Sequence, residues 1–336
     1  VLLGLFAGGW IGWKLVSNDV KVFGWGGLWS LVDPGPLKGE NSGRVNILLA
    51  GDSVGRTDGG GGTQLTDSIM LASVDTHNHT AFLLSIPRDL YVNIPGVGYS
   101  KINAAAEDGD NSNFNVAGYP AGGMGLLEEV VSQKLGIPID YYALVDYQAF
   151  ENAVNAVGGI TIDINSSDPR GLYDASVTSP TDSQPLVDLS NGWHTLDGQE
   201  ALNLARARGD AYGSYGFAGS DFTRTENQRQ MLVAIKDKAS SLGVLANPIK
   251  LGQLFDAFGN NVQTDLSLGN VRSLYDMTNK VSNASIGSES LNDDNGQDLL
   301  TSYTTPDGED ILIPAAGINN YSQIDAFVAQ LTGNTQ

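Results

Sequence analysis

The chain has no cysteine, so neither a disulfide framework nor a thiolate metal site exists in it. Many proteins on both sides of a membrane lack cysteine, and this absence leaves the compartment open. Basic residues are scarce: 18 lysines and arginines stand against 38 aspartates and glutamates, a formal net charge of -20. That field repels nucleic acid and anionic lipid headgroups, so no nucleic-acid partner is expected. The few arginines are costly to gather in one place unless something anionic lies between them. The glycine-rich stretch GRTDGGGGTQLT, between Asp52 and Asp67, lacks the GKS or GKT ending that puts a lysine on phosphates. It is not GxGxxG either, so a nucleoside-triphosphate loop and a dinucleotide fingerprint are both excluded.

The N-terminal run VLLGLFAGGWIGWKLV is apolar as far as Lys14, too short to span a hydrocarbon core by itself. It reads as the outer half of an N-terminal membrane anchor with Trp10 and Trp13 near the interface; the alternative is a membrane-proximal or core helix. Residues 1–18 are assigned to this segment. Residues 19–44, with Pro34, Pro36 and several glycines, form a lead-in, and 45–336 form one folded body.

That body is organised around Asn46–Asn103. The apolar runs Ile47–Ala50 and Ile69–Val74 adjoin Asp52 and Asp67, and Ala81–Ile86 feeds into Pro87-Arg88-Asp89. Three short strands flanked by charge place those charges at a sheet end and its loops. Met124–Leu135 has helical spacing and stops at Gly136 and Pro138. Tyr141–Val145 reads as a strand, Tyr147–Val157 as a helix stopped by Gly158-Gly159, and Ile160–Ile164 as an alternating strand. Strand–helix–strand repetition predicts an α/β body with helices covering a sheet. Asn165–Ser190 is expected to be an exposed excursion and Gly192–Gly198 a turn-rich lead into a helix over Gln199–Arg208. Ala211–Ser220 reads as a glycine–aromatic loop, followed by a long helix capped by Asp221. Asn283–Gln297 is expected to be loop and Asp310–Pro314 a strand.

Arg206 and Arg208 are two apart and cannot share a face of a continuous helix; they converge only if the helix ends between them or one long stem reaches around. Asp221, Arg224 and Gln228 do share a helix face. With Arg88 and Arg229, these arginines admit a bland reading as surface ion pairs, each worth little. Several guanidinium forks and two separated carboxylates also suit a polyphosphate bridged by a divalent cation. Asp52 and Asp67 are the candidate ligands, and hard oxygen donors favour Mg²⁺ or Mn²⁺ over zinc. His77 and His79 read as exposed turn residues and His194 as a loop residue.

The segments SIPRDLYVNIPG (Ser85–Gly96), KINAA (Lys101–Ala105), GIPIDYYALVDYQAFENAVNAVGGITIDI (Gly136–Ile164), LDGQEALNLARAR (Leu196–Arg208) and DFTRTENQRQ (Asp221–Gln230) closely resemble the LytR-CpsA-Psr family. The resemblance covers roughly Val45–Ser240 in five ordered motifs. It implies a three-layer α-β-α fold, with a central mixed sheet covered by helices on both faces and an apolar lipid pocket between sheet and helices. The helices Met124–Leu135 and Phe150–Val157 would line that pocket, with Phe82 or Leu84 as its floor, ordinary core packing being the alternative for each. The implied activity is a membrane-anchored, extracytoplasmic Gram-positive phosphotransferase. It would move a glycopolymer from a polyprenyl-pyrophosphate carrier to a wall acceptor hydroxyl on peptidoglycan or arabinogalactan.

By the same resemblance, Mg²⁺ falls to Asp52 and Asp67 and the pyrophosphate to Arg88, Arg206, Arg208 and Arg224, with Gln228 beside them. Asp89 and Asp221 would orient the arginines, Asp221 also assisting the incoming hydroxyl, while Lys101 and Asn103 shape the pocket wall. One departure stands out: the family's usual Arg-Ser-Asp-Thr before the second carboxylate is here Leu65-Thr66-Asp67-Ser68, with Arg56 in the preceding loop as a replacement. Two other readings stay open, an Mg-dependent pyrophosphatase or phosphodiesterase acting on lipid-linked pyrophosphates, and a non-catalytic binder of lipid-linked glycans.

Overall fold

The computed structural model describes residues 35–52, 65–179, 181, 183–217, 221–241, 261–278, 280–282, 285–291 and 298–333. The chain divides into two compact units, one containing 32–146 and 261–336, the other 147–260.

The first unit begins with β1 (Arg44–Asp52), β2 (Thr66–Asp75) and β3 (Ala81–Ile86), an antiparallel meander. The short strands β4 (Tyr91–Ile94) and β5 (Gly98–Lys101) pair as a hairpin. Helices α1 (Ala105–Asn111) and α2 (Gly123–Leu135) come next, then β6 (Tyr141–Asp146), which lies parallel to β1. The α2 boundaries follow the sequence: the helix ends where Gly136 takes φ 67°, a left-handed conformation open to glycine.

The second unit comprises α3 (Tyr147–Ala156), β7 (Ile160–Ile164), β8 (Leu172–Thr178), β9 (Pro185–Leu189), β10 (Gly192–Leu196), α4 (Gly198–Arg206) and α5 (Asp221–Ser241). Two expectations fail here. Residues 165–190 are no exposed excursion, because β8 and β9 pair antiparallel and bury Leu172, Asp174, Val177 and Val187. Residues 192–196 are no turn, because β10 pairs with β7 and sets His194 opposite Ile162. His194 is thus a strand residue, its Nε2 2.7 Å from the Ser190 carbonyl.

The chain then returns to the first unit with β11 (Val262–Thr264), α6 (Leu268–Thr278), β12 (Ile286–Ser290), β13 (Leu300–Thr304), β14 (Asp310–Pro314) and α7 (Ser322–Thr332). The strand β12 falls inside the tract read as loop. Its sequence IGSES has little apolar character, and it exists because it pairs in parallel with the outer edge of β3.

The main sheet has the order β11-β6-β1-β2-β3-β12 and mixes parallel and antiparallel neighbours. Alternation along β1 sends Leu48 and Ala50 to one face, where they meet Met124, Leu126, Leu127 and Val130 of α2. It sends Val45 and Ile47 to the other, where they meet Met277 and Leu274 of α6. Helices therefore cover both faces, as the three-layer reading requires. Phe82 and Leu84 are buried in the α2 layer. Helix α3 does not join them: Phe150, Val154 and Val157 pack with Ile160 and Leu204 in the second unit's own core. Each Leu or Ile buried in these layers carries about 2–5 kcal/mol against truncation to alanine.

Candidate functional site

Asp52 ends β1 and Asp146 ends β6. The parallel register makes them neighbours, and both are almost fully buried at 2% and 3% exposure. They lie on the face shared with Ala50 and Leu144. Across β1 the antiparallel register runs Gly51 to Ser68 and then Asp52 to Thr66, so Asp67 is the extra residue of a β-bulge. A bulge redirects the side chain it carries and is common beside functional sites. This one sets Asp67 next to the segment that follows β3.

There the Arg88 Nη1 donates to Asp67 Oδ1 at 2.5 Å, and the Arg88 Nε lies 3.6 Å from Asp89 Oδ2. Asp89 Oδ1 in turn meets Lys101 Nζ at 3.1 Å, and Lys101 reaches Glu309 at 3.3 Å. Burial lowers the Lys101 pKa, but hydrogen bonds and attraction from Asp89 and Glu309 outweigh it and hold the ammonium above its usual range. Asn103 acts through its backbone: its N–H donates to the Arg88 carbonyl at 3.3 Å and its carbonyl accepts from Thr66 Oγ1 at 3.2 Å. The predicted residues Asp52, Asp67, Arg88, Asp89, Lys101 and Asn103 thus gather at one end of the sheet. Asp89 holds a lysine as well as an arginine.

In the second unit α4 ends at Arg206 and Ala207 is already extended, at φ -67° and ψ 135°. The helix therefore stops between the two arginines, short of the expected Arg208 and by the first of the two routes that their spacing left open. Arg206 lies 5.2 Å over the Tyr147 ring. Arg224 and Gln228 sit one turn apart near the start of α5, and Arg224 is buried. The Gln228 amide donates to the Ala205 carbonyl at 2.9 Å and ties α5 to the last turn of α4. Arg229 belongs elsewhere, since it forks onto Glu226 of its own helix. Asp221 is the first residue of α5; its side chain, like Arg56 and residues 1–34, lies outside the described residues.

Two buried aspartates escaped the sequence reading. Asp146 had a visible signal, closing YYALVD as Asp52 closes NILLAGD. Asp174 had none, because it sits in a tract too rich in Asp, Ser and Pro to read as a strand. His77 and His79 lie in the turn between β2 and β3, as expected, His77 exposed and His79 half-buried.

Among the described residues no three histidines, aspartates or glutamates converge to hold a metal ion. A cation at the sheet end would take at most two such ligands from the described residues. Asp52, at the end of β1, and Asp67, the extra residue of the bulge, are hard oxygen donors of the kind that suits Mg²⁺. Among the described residues no helix is long and apolar enough to cross a membrane.

The sequence profile of the LytR_cpsA_psr family matches residues 30–312. A polyisoprenyl-teichoic acid–peptidoglycan teichoic acid transferase, TagU of Oceanobacillus iheyensis, is 34% identical over 68% of this chain and 61% of its own length. The corresponding TagT of Bacillus subtilis is 33% identical over 62% of this chain and 56% of its own. The chain thus spans about three fifths of the curated relatives it matches. Among solved structures, a LytR-CPS2A-psr family protein, YwtF (TagT), with bound octaprenyl pyrophosphate lipid aligns with a TM-score of 0.59 and 25% identity. That alignment covers 88% of this chain and 92% of the other.

Proposed function

The chain belongs to the LytR_cpsA_psr family, and we propose that it transfers a glycopolymer from a polyprenyl-pyrophosphate carrier to a cell-wall acceptor hydroxyl. The observation that carries this reading is the bulge-directed Asp67–Arg88 pair beside Asp52, at the end of the sheet. It is supported by relatives named as teichoic acid transferases and by the lipid pyrophosphate in a related structure.

In the reaction, the acceptor oxygen forms a bond to the phosphorus nearest the glycan. The bridging P–O bond breaks, and polyprenyl phosphate leaves with the electron pair. Arg88, Arg206, Arg208 and Arg224 would pair with phosphate oxygens, whose charge grows in the transition state. Asp89 steadies Arg88 and Lys101, and Asp221 takes the hydroxyl proton. Asp52 and Asp67 would hold Mg²⁺, which when bound neutralises charge on the diphosphate. The apolar layer under α2 serves the carrier's hydrocarbon tail. The N-terminal apolar run anchors the protein at the extracytoplasmic face, residues 45–336 serve as the catalytic domain, and the acceptor is a peptidoglycan or arabinogalactan sugar.

The test is incubation with a lipid-pyrophosphate oligosaccharide and a wall glycan, followed by mass analysis of the glycan. A phosphodiester-linked product supports transfer, free phosphosugar alone supports a hydrolase, and no turnover leaves a binder. For the cation, Mg²⁺ should raise the Tm of the wild type and leave that of Asp52→Asn unmoved.

A further inference from the structure

The β8–β9 hairpin carries a carboxylate that the reaction above does not use. Asp174 on β8 is 0% exposed. Its Oδ2 accepts two backbone N–H groups from across the unit, Arg208 at 2.7 Å and Gly209 at 2.8 Å. Its Oδ1 accepts the Ser176 N–H at 2.8 Å and the Ser176 hydroxyl at 2.6 Å. Burial pushes this carboxyl up, yet the bonds from Ser176, Gly209 and Arg208 outweigh burial and hold it below the usual carboxylate range. Among the described residues no lysine or arginine side chain pairs with it, so fixed dipoles alone carry its charge.

What those dipoles fix is the backbone just beyond α4. The helix has ended at Arg206, Ala207 is extended, and Gly209 turns at φ 71°. With no helical bonds there, the direction in which Arg208 leaves the helix end depends on what holds its N–H. The far part of the same loop is tied to the same strand. Tyr173 and Tyr215 exchange backbone hydrogen bonds at 3.0 Å each and stack their rings at 5.2 Å, and the Ala175 N–H donates to Ser214 Oγ at 3.0 Å. The strand β8 therefore grips residues 208–215 at three points, with the only carboxylate among them at the arginine.

We propose that Asp174 is a positioning residue for transfer: by clamping the Arg208 and Gly209 amides it aims the Arg208 guanidinium at the substrate's phosphate. This rests on the reading of Arg208 as a phosphate-binding group. A buried carboxylate that merely stabilised the hairpin would lower the melting temperature without touching the turnover of folded enzyme.

The experiment is a double-mutant cycle on the full chain, with a short-chain prenyl-pyrophosphate disaccharide as donor, a wall glycan as acceptor, and Mg²⁺. Asp174→Asn keeps one acceptor oxygen and cannot serve both donor pairs. It should lower kcat about 10–100-fold, the scale of a misplacement near 1 Å, at a temperature where circular dichroism shows it folded, with acceptor KM unchanged. Ser176→Ala removes only a hydroxyl donor and should stay within about threefold. In an Arg208→Ala background the Asp174→Asn loss should shrink to under about threefold, since coupled residues are non-additive. Should Asp174→Asn not fold, Asp174→Glu, which keeps the charge but displaces it by a methylene, goes through the same cycle. An equal loss in both backgrounds, or full kcat with only a lowered Tm, overturns the assignment alone. Wild-type turnover of Arg208→Ala removes the phosphate-binding reading and the assignment with it.

Discussion

Arg88 and Arg229 look alike in the sequence, each an arginine close to an acidic residue, and the fold separates them. Arg88 bridges Asp67 and Asp89 at the sheet end, whereas Arg229 is spent on Glu226 within α5. Arg88→Ala should lower turnover on a lipid-pyrophosphate donor by about 10²–10³, the usual cost of one transition-state donor. Arg88→Lys should recover little of it, because an ammonium cannot reproduce a fork shared between two carboxylates. Arg229→Ala should lower the melting temperature and leave turnover of the folded protein within a few fold. If Arg88→Ala turns over like the wild type, the sheet-end pair is structural only.

Helix α4 is fixed at both ends. Asp197 and Glu200 form a reciprocal capping box at its start, with bonds of 2.9 and 3.0 Å. Asp197→Ala should cost about 0.5–2 kcal/mol, read as a lower denaturation midpoint with an unchanged m-value. At its end, a Cβ on Gly209 would fall within 2.5–2.7 Å of Phe217, at a φ that glycine alone takes easily. Gly209→Ala should therefore destabilise by about 1–3 kcal/mol, again measured by denaturation. Legibility followed pattern strength. Ala81–Ile86, Ile160–Ile164 and Asp310–Pro314 coincide with their strands because apolar runs or strict alternation mark them. The spacing of Arg206 and Arg208 left the helix ending as one of two routes, and the expected helix ran two residues too far, to Arg208. The β8–β9 hairpin, β10 and β12 were not readable, because their residues are polar and tertiary pairing overrides weak local preference. Asp174 went unseen for the same reason: only the register that brings β8 to the end of α4 gives it a role.

Across the whole molecule, pH should act on stability through Glu128 of α2, which is 3% exposed. Burial, reinforced by repulsion from Asp265 and Asp140 against a smaller pull from Lys38, raises its carboxyl to about 8. The folded state therefore holds a proton that the unfolded chain releases near the ordinary value of 4.5. Its contribution is intact below that value, declines as pH rises through the interval, and is lost above about 8. Glu128→Gln should flatten the stability–pH profile between those limits and raise stability at pH 8; an unchanged slope would show that Glu128 ionises freely.

The second unit leaves and rejoins the first beside a single strand pair. Val262 is paired with Val145, and the Asp146 N–H donates to the Asn261 carbonyl at 3.2 Å. A segment whose two junctions already touch can be excised without stretching its host, because a tight turn closes the gap at little entropic cost. A shortened chain joining residue 146 to residue 261 should keep the six-stranded sheet and its Asp67–Arg88 pair. It would retain a cooperative melt while having lost Arg206, Arg208 and Arg224 together, a severed host on which the acidic half can be studied alone.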